Sequence, residues 1–324
     1  MAENASVFTI TQLGAEGTAG TGATAGTILP ALSFKLDVDA TFQEFAPMGY
    51  KYATEVAIGK EWATFDVEGY GCFNCIVYPL SGVMGTATIA SGSITSWTFT
   101  PSSTSADTDK TFSIENGSST RAIRANYGRL TGFSYHIDRE KFEIGGGGFA
   151  QRITEGTTLT GSAKTVALVP MLPQNVNLYL DTTTGGLGGS KYTRVLSVDY
   201  ELSDKANPLW VLNSANTSFV ADVEVKPKAT LKAVVEHDAA NGGTLFSYMR
   251  AGTRLFGRVE CTGDTIQGGT AYTFKHDMAL EVLEAPKFGD QDGARTQEFT
   301  FGVVHDSTWG KSQTIQVLNL QTGL

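Results

Sequence analysis

The chain has 324 residues, of which 41% are hydrophobic, so it can bury a sizeable core in two compact domains or one large β domain. Its formal net charge of −9 argues against a protein that grips nucleic acid on a basic surface, because phosphate contacts need lysine and arginine. Many glycines (37) and few prolines (9) indicate numerous turns and few rigid linkers.

The first 28 residues are rich in glycine, alanine and threonine and contain few large apolar side chains. Such a segment buries too little surface to order itself, so we predict a flexible arm over residues 1–30 that orders only against a neighbour. The N-terminus lacks a charged start followed by an apolar core, and we expect no signal peptide. No run of about 18 apolar residues occurs, so we expect no membrane anchor.

Alternating apolar and polar residues predict strands over residues 28–39, 61–68 and 94–100. The apolar stretch Cys75–Met84 is short and favours a helix after Pro79. A polar, exposed loop is predicted over residues 101–110.

The stretch Thr111–Arg152 has the clearest pattern in the chain, and we predict three strands joined by turns within it. Asn116-Gly117 is a strong hairpin signal, because both residues accept positive φ. The run of four glycines at Gly145–Gly148 opens no clear helix, so a bend or a close approach of two backbones is favoured over an anion cradle.

A similar pattern recurs 65 positions further on and indicates an internal duplication. The matching residues are Tyr127, Arg129, Leu130, Phe133, Tyr135 and Ile137, and then Tyr192, Arg194, Val195, Val198, Tyr200 and Leu202. The second copy contains the cleanest predicted strand, Leu196–Leu202. Farther on, Pro227–His237 predicts a helix from its first-turn proline and the spacing of its apolar residues. Residues 314–320 are expected to be a last strand or an extended tail.

These elements predict a mainly β, α+β fold of two tandem antiparallel β-sandwich domains, each with a short flanking helix. The glycine-rich segment Gly185–Gly189 is the best candidate hinge. We therefore place the first domain at residues 31–185 and the second at residues 186–324.

No catalytic, cofactor or metal site is predicted. Cys72-x-x-Cys75 has no second paired motif to complete a zinc site, so buried thiols are the favoured interpretation. Three adjacent His-Asp pairs begin at His237, His276 and His305, but neighbouring side chains of a strand point to opposite faces and cannot easily pair. For His276, a packed neutral histidine is expected.

Five acidic residues lie on the polar sides of predicted strands. They are Asp138, Asp199, Glu201, Asp222 and Glu224. Solvated surface positions are the simplest interpretation, and a shared negative surface with a function is the alternative.

Four stretches together resemble the major tail tube proteins of long-tailed bacteriophages, in the form with two tube-like halves, over most of residues 55–310. They read TFSIENG…YGRLTGFSYHIDREKFEIGGGGF, PLWVLNSANTSFVADVEVKPKA, RAGTRLFGRVECTGD and YTFKHDMALEVLEAPKFGDQDGARTQEFTFGVVHDSTWG.

This resemblance implies a virion protein, assembled in the host cytoplasm, whose copies form trimeric rings of pseudo-sixfold symmetry that stack into the tail tube. The implied partners are other copies of the chain and the tape-measure, tail-terminator and distal tail proteins, while DNA passes through without specific binding. The five acidic residues would then line the lumen, because a basic lining would hold phosphates.

Three other classes stay open. A bacterial secretion or injection-system tube protein shares the tube fold, and a capsid-decorating or adhesive β-sandwich would bind a surface as a small oligomer. A glycan-cleaving β enzyme would need a cleft with two carboxylates.

Overall fold

The computed structural model describes residues 9–212, 217–237 and 242–324, and β-strands are their main secondary structure. The strands are β1 (Ile10–Ala15), β2 (Thr27–Ile28), β3 (Leu32–Phe45), β4 (Glu55–Tyr70), β5 (Thr88–Ala90), β6 (Thr95–Phe99), β7 (Phe112–Gly117), β8 (Ala122–Ile137), β9 (Phe142–Ala150), β10 (Thr154–Thr157), β11 (Lys164–Thr165), β12 (Val176–Asp181), β13 (Val195–Ser203), β14 (Ala206–Leu209), β15 (Ala221–Glu224), β16 (Lys228–Glu236), β17 (Leu255–Gln267), β18 (Thr270–Val282), β19 (Lys287–Gln291), β20 (Ala294–Val303) and β21 (Gln313–Asn319). The helices are α1 (Val77–Val83) and α2 (Gly242–Ala251), with 3-10 turns at Pro173–Asn175 and Thr184–Gly186. The predicted mainly β, α+β composition is confirmed, and the prediction of a helix within Cys75–Met84 is confirmed by α1.

Two antiparallel layers pack face to face, and pairing between β18 and β20 joins them into one continuous sheet. The first layer runs β3-β4-β9-β8-β13-β16-β20-β19, and the second runs β12-β17-β18-β21-β6-β5. Aromatic rings fill the space between them: Tyr135 lies 5.9 Å from Phe274, and Tyr200 lies 4.6 Å from His276, between ring centroids. Buried aromatic contacts of this kind add to the stabilisation that comes from burying apolar area.

Strands from both predicted halves take part in each layer. β8 pairs with β13, and β6 pairs with β21, so hydrogen bonds cross the predicted boundary at residues 185 and 186. The two strands that carry the repeated pattern, β8 and β13, are direct antiparallel neighbours, with Ile137 opposite Val198 and Phe133 opposite Leu202.

The helix predicted over Pro227–His237 is wrong, because this segment forms β16. Leu231, Ala233 and Val235 are buried at alternate positions, and the strand is hydrogen-bonded to β13 on one side and β20 on the other. Pairing on both edges outweighs the weak helical spacing of a few apolar residues.

The predicted flexible arm also differs from the structure, apart from residues 1–8, which lie outside the described residues. β1 pairs with β7 along its whole length, and Leu13 and Ala25 are buried. The glycine-rich turn after β1 is organised by Glu16, which is 3% exposed. Its carboxylate accepts hydrogen bonds from the amides of Gly20 and Tyr127, each at 2.9 Å, and from the hydroxyl of Thr111 at 2.8 Å. Composition alone does not reveal a buried carboxylate of this kind.

The glycine run in β9 lets backbones approach closely, as predicted. A Cβ atom at Gly148 would lie 2.1 Å from the carbonyl oxygen of Arg129, and one at Gly146 would lie 2.6 Å from that of Gly132. Both contacts are shorter than van der Waals packing permits, so β9 can lie against β8 only with glycine at these positions.

Candidate functional site: an acidic sheet face and a projecting arm

The solvent side of the first layer carries an acidic face. Residues opposite each other in register point to the same side of a sheet, and Lys35 pairs with Asp66, His136 with Glu143, and Asp199 with His136. The charged and titratable residues of the acidic face are Lys35, Asp37, Asp66, Glu68, His136, Glu143, Asp199, Glu201, Lys228, Lys232, Glu236, Lys287 and Glu298. Eight carboxylates thus face four lysines and one histidine, and the surface has negative potential.

An open groove of about 770 Å³ runs across this face. Its charged and titratable walls are formed by Lys35, Glu68, Tyr70, His136, Glu143, Asp199 and Glu201. Lys35 pairs with Glu68, and both side chains are about 60% exposed (59% and 61%). Because both side chains are well exposed, the groove is a solvated polar surface. Exposed pairs of this type contribute little to stability.

His136 is held between two of the predicted acidic residues. Its Nδ1 bonds to the carboxylate of Asp199, and its Nε2 lies 3.3 Å from Oδ2 of Asp138. Partial burial lowers the pKa of His136, but the hydrogen bonds and charges of Asp199 and Asp138 outweigh it and raise the pKa above its usual value. The backbone amide of Lys141, with smaller contributions from the amide of Glu140 and from His136, lowers the pKa of Asp138.

The other two predicted residues, Asp222 and Glu224, do not lie on this face, and their expected outward orientation is wrong. They belong to β15, which pairs only with β14 in a separate two-stranded sheet. In β15 the polar and apolar sides are the reverse of those predicted from the sequence. Val223 is 45% exposed, whereas the two carboxylates turn towards buried cations. Asp222 Oδ2 accepts from Arg129 Nε at 2.9 Å, and Glu224 Oε1 lies 3.0 Å from Lys205 Nζ.

These contacts form an interior ion cluster of Arg129, Lys205, Asp107, Asp109, Asp222 and Glu224. The side chains of Arg129, Lys205 and Asp109 are 3%, 2% and 0% exposed. Burial raises the pKa of Asp109, and the charges of Arg129 and Lys205 offset this only in part. The interior ion cluster fastens the loop before β7 and the β14–β15 sheet to β8.

Beside the interior ion cluster, an aromatic group seals one end of the first layer under the small sheet. Phe219 lies 5.1 Å from Tyr127 and 5.0 Å from Phe149, and Trp210 lies 5.5 Å from Trp62, between ring centroids.

A second exposed feature is the arm, which we define as residues 38–62, the outer part of the β3–β4 hairpin. β9 pairs with β4 only from Ala63 to Tyr70, whereas β3 and β4 stay paired out to Phe45 and Glu55. Seven residues of β3, 39–45, therefore extend beyond the layer by about 23 Å, at about 3.3 Å per residue.

One face of the arm continues the core-facing side of β3 and β4; it is largely apolar, and the register also places Glu44 and Glu61 on it. Phe34 is fully buried, but farther out Val38 and Phe42 are 62% and 66% exposed, and Phe42 is opposite Ile58 in register. At the tip, Met48, Tyr50 and Tyr52 are also exposed. Contiguous exposed apolar surface of this kind marks an interaction site in soluble proteins.

The described residues hold little that suggests chemistry. Nowhere among them do three or more His, Cys, Asp and Glu side chains lie together so as to hold a metal ion. His276 is buried, bonded to Tyr135 and Gln313, and burial lowers its pKa to about 4, so the prediction of a packed neutral histidine is confirmed. Its neighbour Asp277 points away and binds Arg258 through two hydrogen bonds of 2.6 and 2.9 Å.

Within the described residues, the other two His-Asp pairs also show no catalytic arrangement. His237 bonds to Gln297 at 3.1 Å, and Asp238 lies outside the described residues. Asp306 accepts from the guanidinium of Arg254. No helix in the described part of the chain is long and apolar enough to cross a membrane.

No protein-family model matches this chain, and no curated protein matches it at a significant level.

Sequence reasoning missed the arm and the interior ion cluster for different reasons. The alternation of Val38, Ala40 and Phe42 was available, but it does not say where the supporting third strand ends. Nothing in the sequence near Lys205 distinguishes a buried lysine from a solvated one, since its three carboxylate partners come from positions 107, 109 and 224.

Proposed function

We propose that this protein is a structural subunit that assembles with copies of itself into closed rings, which stack into a hollow tube with an acidic lining. The observation that carries this proposal is the arm, because its apolar face is a direct extension of the core surface and is exposed among the residues that the structure describes. Another copy is the natural cover, since a contact between an arm and a different surface of the next copy is heterologous and closes into a ring or propagates as a filament.

The acidic face supports the same proposal. In a tube with this face inside, the carboxylates would repeat around the channel and repel phosphates. DNA would then move through without stable contacts. Together with the sequence resemblance, this favours the tail tube of a long-tailed bacteriophage, with a trimeric ring of pseudo-sixfold symmetry, a location in the virion tail, no enzymatic activity, and tape-measure, terminator and distal tail proteins as partners.

The arm provides a matched test by electron microscopy and mass photometry of the purified protein. The wild type is expected to form rings or tubes of uniform width. Phe42→Glu and Ile58→Glu place a charge on the apolar face and should leave folded monomers, with at least about a tenfold loss of assembled protein, because a buried unpaired charge is strongly unfavourable.

Gln43→Glu is the control, because it adds the same charge to the adjacent position on the opposite face of the arm. It should assemble like the wild type. Equal assembly of Phe42→Glu and Gln43→Glu would exclude the arm as the contact. A wild-type protein that stays monomeric at high concentration, with tail initiation proteins supplied, would reject the proposed function.

A further inference from the structure

One lysine lies inside the protein against carboxylates, and the proposed assembly gives it no role. Lys205 stands between β13 and β14, and its side chain is 2% exposed. Its backbone amide donates to the carbonyl of Thr131 at 2.9 Å, and its carbonyl accepts from the amide of Val225 at 3.0 Å. The backbone is held on both sides, so the fold itself determines where the amine lies.

Asp107 is the carboxylate that lies nearest to this amine. Its Oδ2 is hydrogen-bonded to Lys205 Nζ, and its Oδ1 accepts from the amide of Ser102 at 2.7 Å. The side chain is 6% exposed and comes from the loop between β6 and β7, 98 residues before the lysine. An amine held against a carboxyl group in this way reacts as if at a concentration far above that of two free molecules.

Glu224 contacts both members of the pair. Its Oε1 lies 3.0 Å from Lys205 Nζ, and its Oε2 accepts from the backbone amide of Asp107 at 2.6 Å. A carboxylate in this position can take a proton from the nitrogen and return it to a leaving oxygen, which is general acid–base catalysis. Asp109 is less well placed to react, because its Oδ2 lies 3.9 Å from the lysine nitrogen and is bound to Arg129 at 2.5 Å.

The surroundings of the pair favour uncharged groups. A cavity of about 120 Å³ borders it, with apolar walls from Val83 and Leu202 and polar walls from Ser102 and Gln313. Burial lowers the pKa of Lys205, although its carboxylate neighbours outweigh this effect and raise the pKa above the ordinary value. Loss of both charges together removes the cost of keeping an ion pair away from water. The cavity also has room for a released water molecule.

We propose that Lys205 and Asp107 form an intramolecular isopeptide bond, with Glu224 as the proton carrier. The ammonium of Lys205 first passes one proton to Asp107 along their hydrogen bond. The neutral amine then attacks Cγ of Asp107, and Glu224 takes up a second proton from the nitrogen. The Nζ–Cγ bond forms and a Cγ–O bond breaks, and the hydroxyl group leaves as water with the proton that Glu224 returns.

The reaction needs no other reactant, because one ammonium and one carboxylate give one amide and one water. No electrons are transferred, and Glu224 ends in its starting state. The bond ties the loop before β7 to the start of β14, so the chain between them stays a closed loop even when the protein unfolds. The inference is independent of the proposed tube, since it rests on contacts within one chain.

Intact-mass measurement of the purified wild-type protein under denaturing conditions tests the proposal. We expect a mass below that of the sequence by one water molecule. After trypsin digestion, a branched peptide should join residues 107 and 205, and cleavage after Lys205 should be absent, because trypsin does not cut after an acylated lysine. A wild-type protein of full sequence mass would overturn the proposal, as would a loss of water located at any other site.

An exposed pair in the same chain serves as the internal control. Lys141 Nζ lies 2.9 Å from Glu143 Oε2, but the side chains are 42% and 40% exposed. Water competes for both groups and keeps them ionised, so their tryptic peptides should be unlinked. A cross-link as frequent there as at Lys205 would contradict the proposal, since burial and Glu224 would then have no part in the reaction.

Two variants remove the reacting groups. Lys205→Arg keeps the positive charge but has no amine to acylate, and Asp107→Ala has no side-chain carboxyl group to attack. Both should therefore have their full sequence masses and an unbranched peptide map. A loss of water that persists in either variant would refute the assignment of the bond.

Two further variants test the proton carrier, with the linked fraction followed over time after a pulse of expression. Glu224→Gln cannot carry the proton and should form the bond at least about tenfold more slowly than the wild type. Asp222→Asn is the matched control on the same strand, because Asp222 bonds to Arg129 and Tyr127, and it should form the bond at the wild-type rate. Equal rates for these two variants would exclude Glu224 from the reaction. Circular dichroism checks that each variant is folded, and the wild-type mass decides the question if one is not.

Discussion

Two groups of carboxylates in this molecule come from the same kind of strand pattern and end in opposite environments. Asp199 and Glu201 alternate with buried residues of β13 and lie on the open acidic face. Asp222 and Glu224 show the same alternation in β15 but turn inward to Arg129 and Lys205. The difference arises from what covers each strand, since β13 is a central strand of the first layer and β15 belongs to a small sheet that covers part of it.

The charges of the acidic face are solvated, whereas those of the interior ion cluster stabilise the fold. On the acidic face each carboxylate has water as an alternative partner, so loss of one pair costs little. In the interior ion cluster water is excluded, and removal of one partner leaves the remaining charges without compensation. The same substitution should therefore have very different effects at the two places.

The largest expected effect is that of Lys205→Met. This change keeps the volume of the side chain but leaves Asp107, Asp109 and Glu224 near Arg129 alone, and it should lower the free energy of unfolding by about 3–5 kcal/mol. Lys35→Met is the matched control, because Lys35 pairs with Glu68 where both side chains are well exposed. The control should leave the midpoint of urea unfolding nearly unchanged. Similar losses for both variants would remove the distinction.

The next effect concerns His276 and the dependence of stability on pH. The pKa of His276 is about 4 in the folded protein, against 6.5 as the ordinary value, because the ring is buried. The unfolded chain therefore binds the proton first, and stability falls as the pH is lowered from 6.5 to about 4, by about 3 kcal/mol from this group. His276→Gln should flatten the slope of unfolding free energy against pH in this window, whatever its absolute stability. An unchanged slope would show that the ring takes up its proton without loss of the fold.

The fold was predictable from sequence where one strand pattern determined the result. β13 and the alternation of Val198, Tyr200 and Leu202 follow directly from the period of two. The segment of β16 shows the limit, since Leu231, Val234 and Val235 also fit a helical spacing and only the neighbouring strands decide. Glu16 and Lys205 show another limit, because the partners that make burial tolerable come from distant parts of the chain.

The acidic face was predicted in part for the same reason. The local strand or turn pattern is enough to place Asp199, Glu201 and Asp138. In the structure, Asp138 and Asp199 contact His136, and Asp199 and Glu201 line the groove. Asp222 and Glu224 required knowledge of the two-stranded sheet and of Arg129, which lies 93 residues before Asp222.

A smaller effect with the opposite pH dependence is expected for His136. Its pKa is raised in the folded protein, so its contribution is fully present below about pH 6.5 and is lost as the pH rises through the folded value. Because His136 and Asp199 are more than a third exposed, the loss should stay below about 1 kcal/mol. Asp199→Asn should abolish most of this difference between pH 6 and pH 9 in chemical denaturation. A wild-type protein that becomes more stable over the same range would contradict the assigned direction.

The smallest effect on folding should come from Glu201→Lys, and this variant tests what the acidic face is for. Glu201 is exposed, so the free energy of unfolding should change by less than about 0.5 kcal/mol. The substitution nevertheless shifts the charge of the face by two units in every copy of the ring, and a tube with this face inside should then retain DNA, with an affinity that falls steeply as salt increases. Glu155→Lys makes the same change of total charge on β10, away from the face, at a side chain that is 73% exposed. Retention of DNA by tubes of Glu201→Lys but not of Glu155→Lys would place the acidic face in the channel, whereas equal behaviour of the two variants would place it on the outer wall.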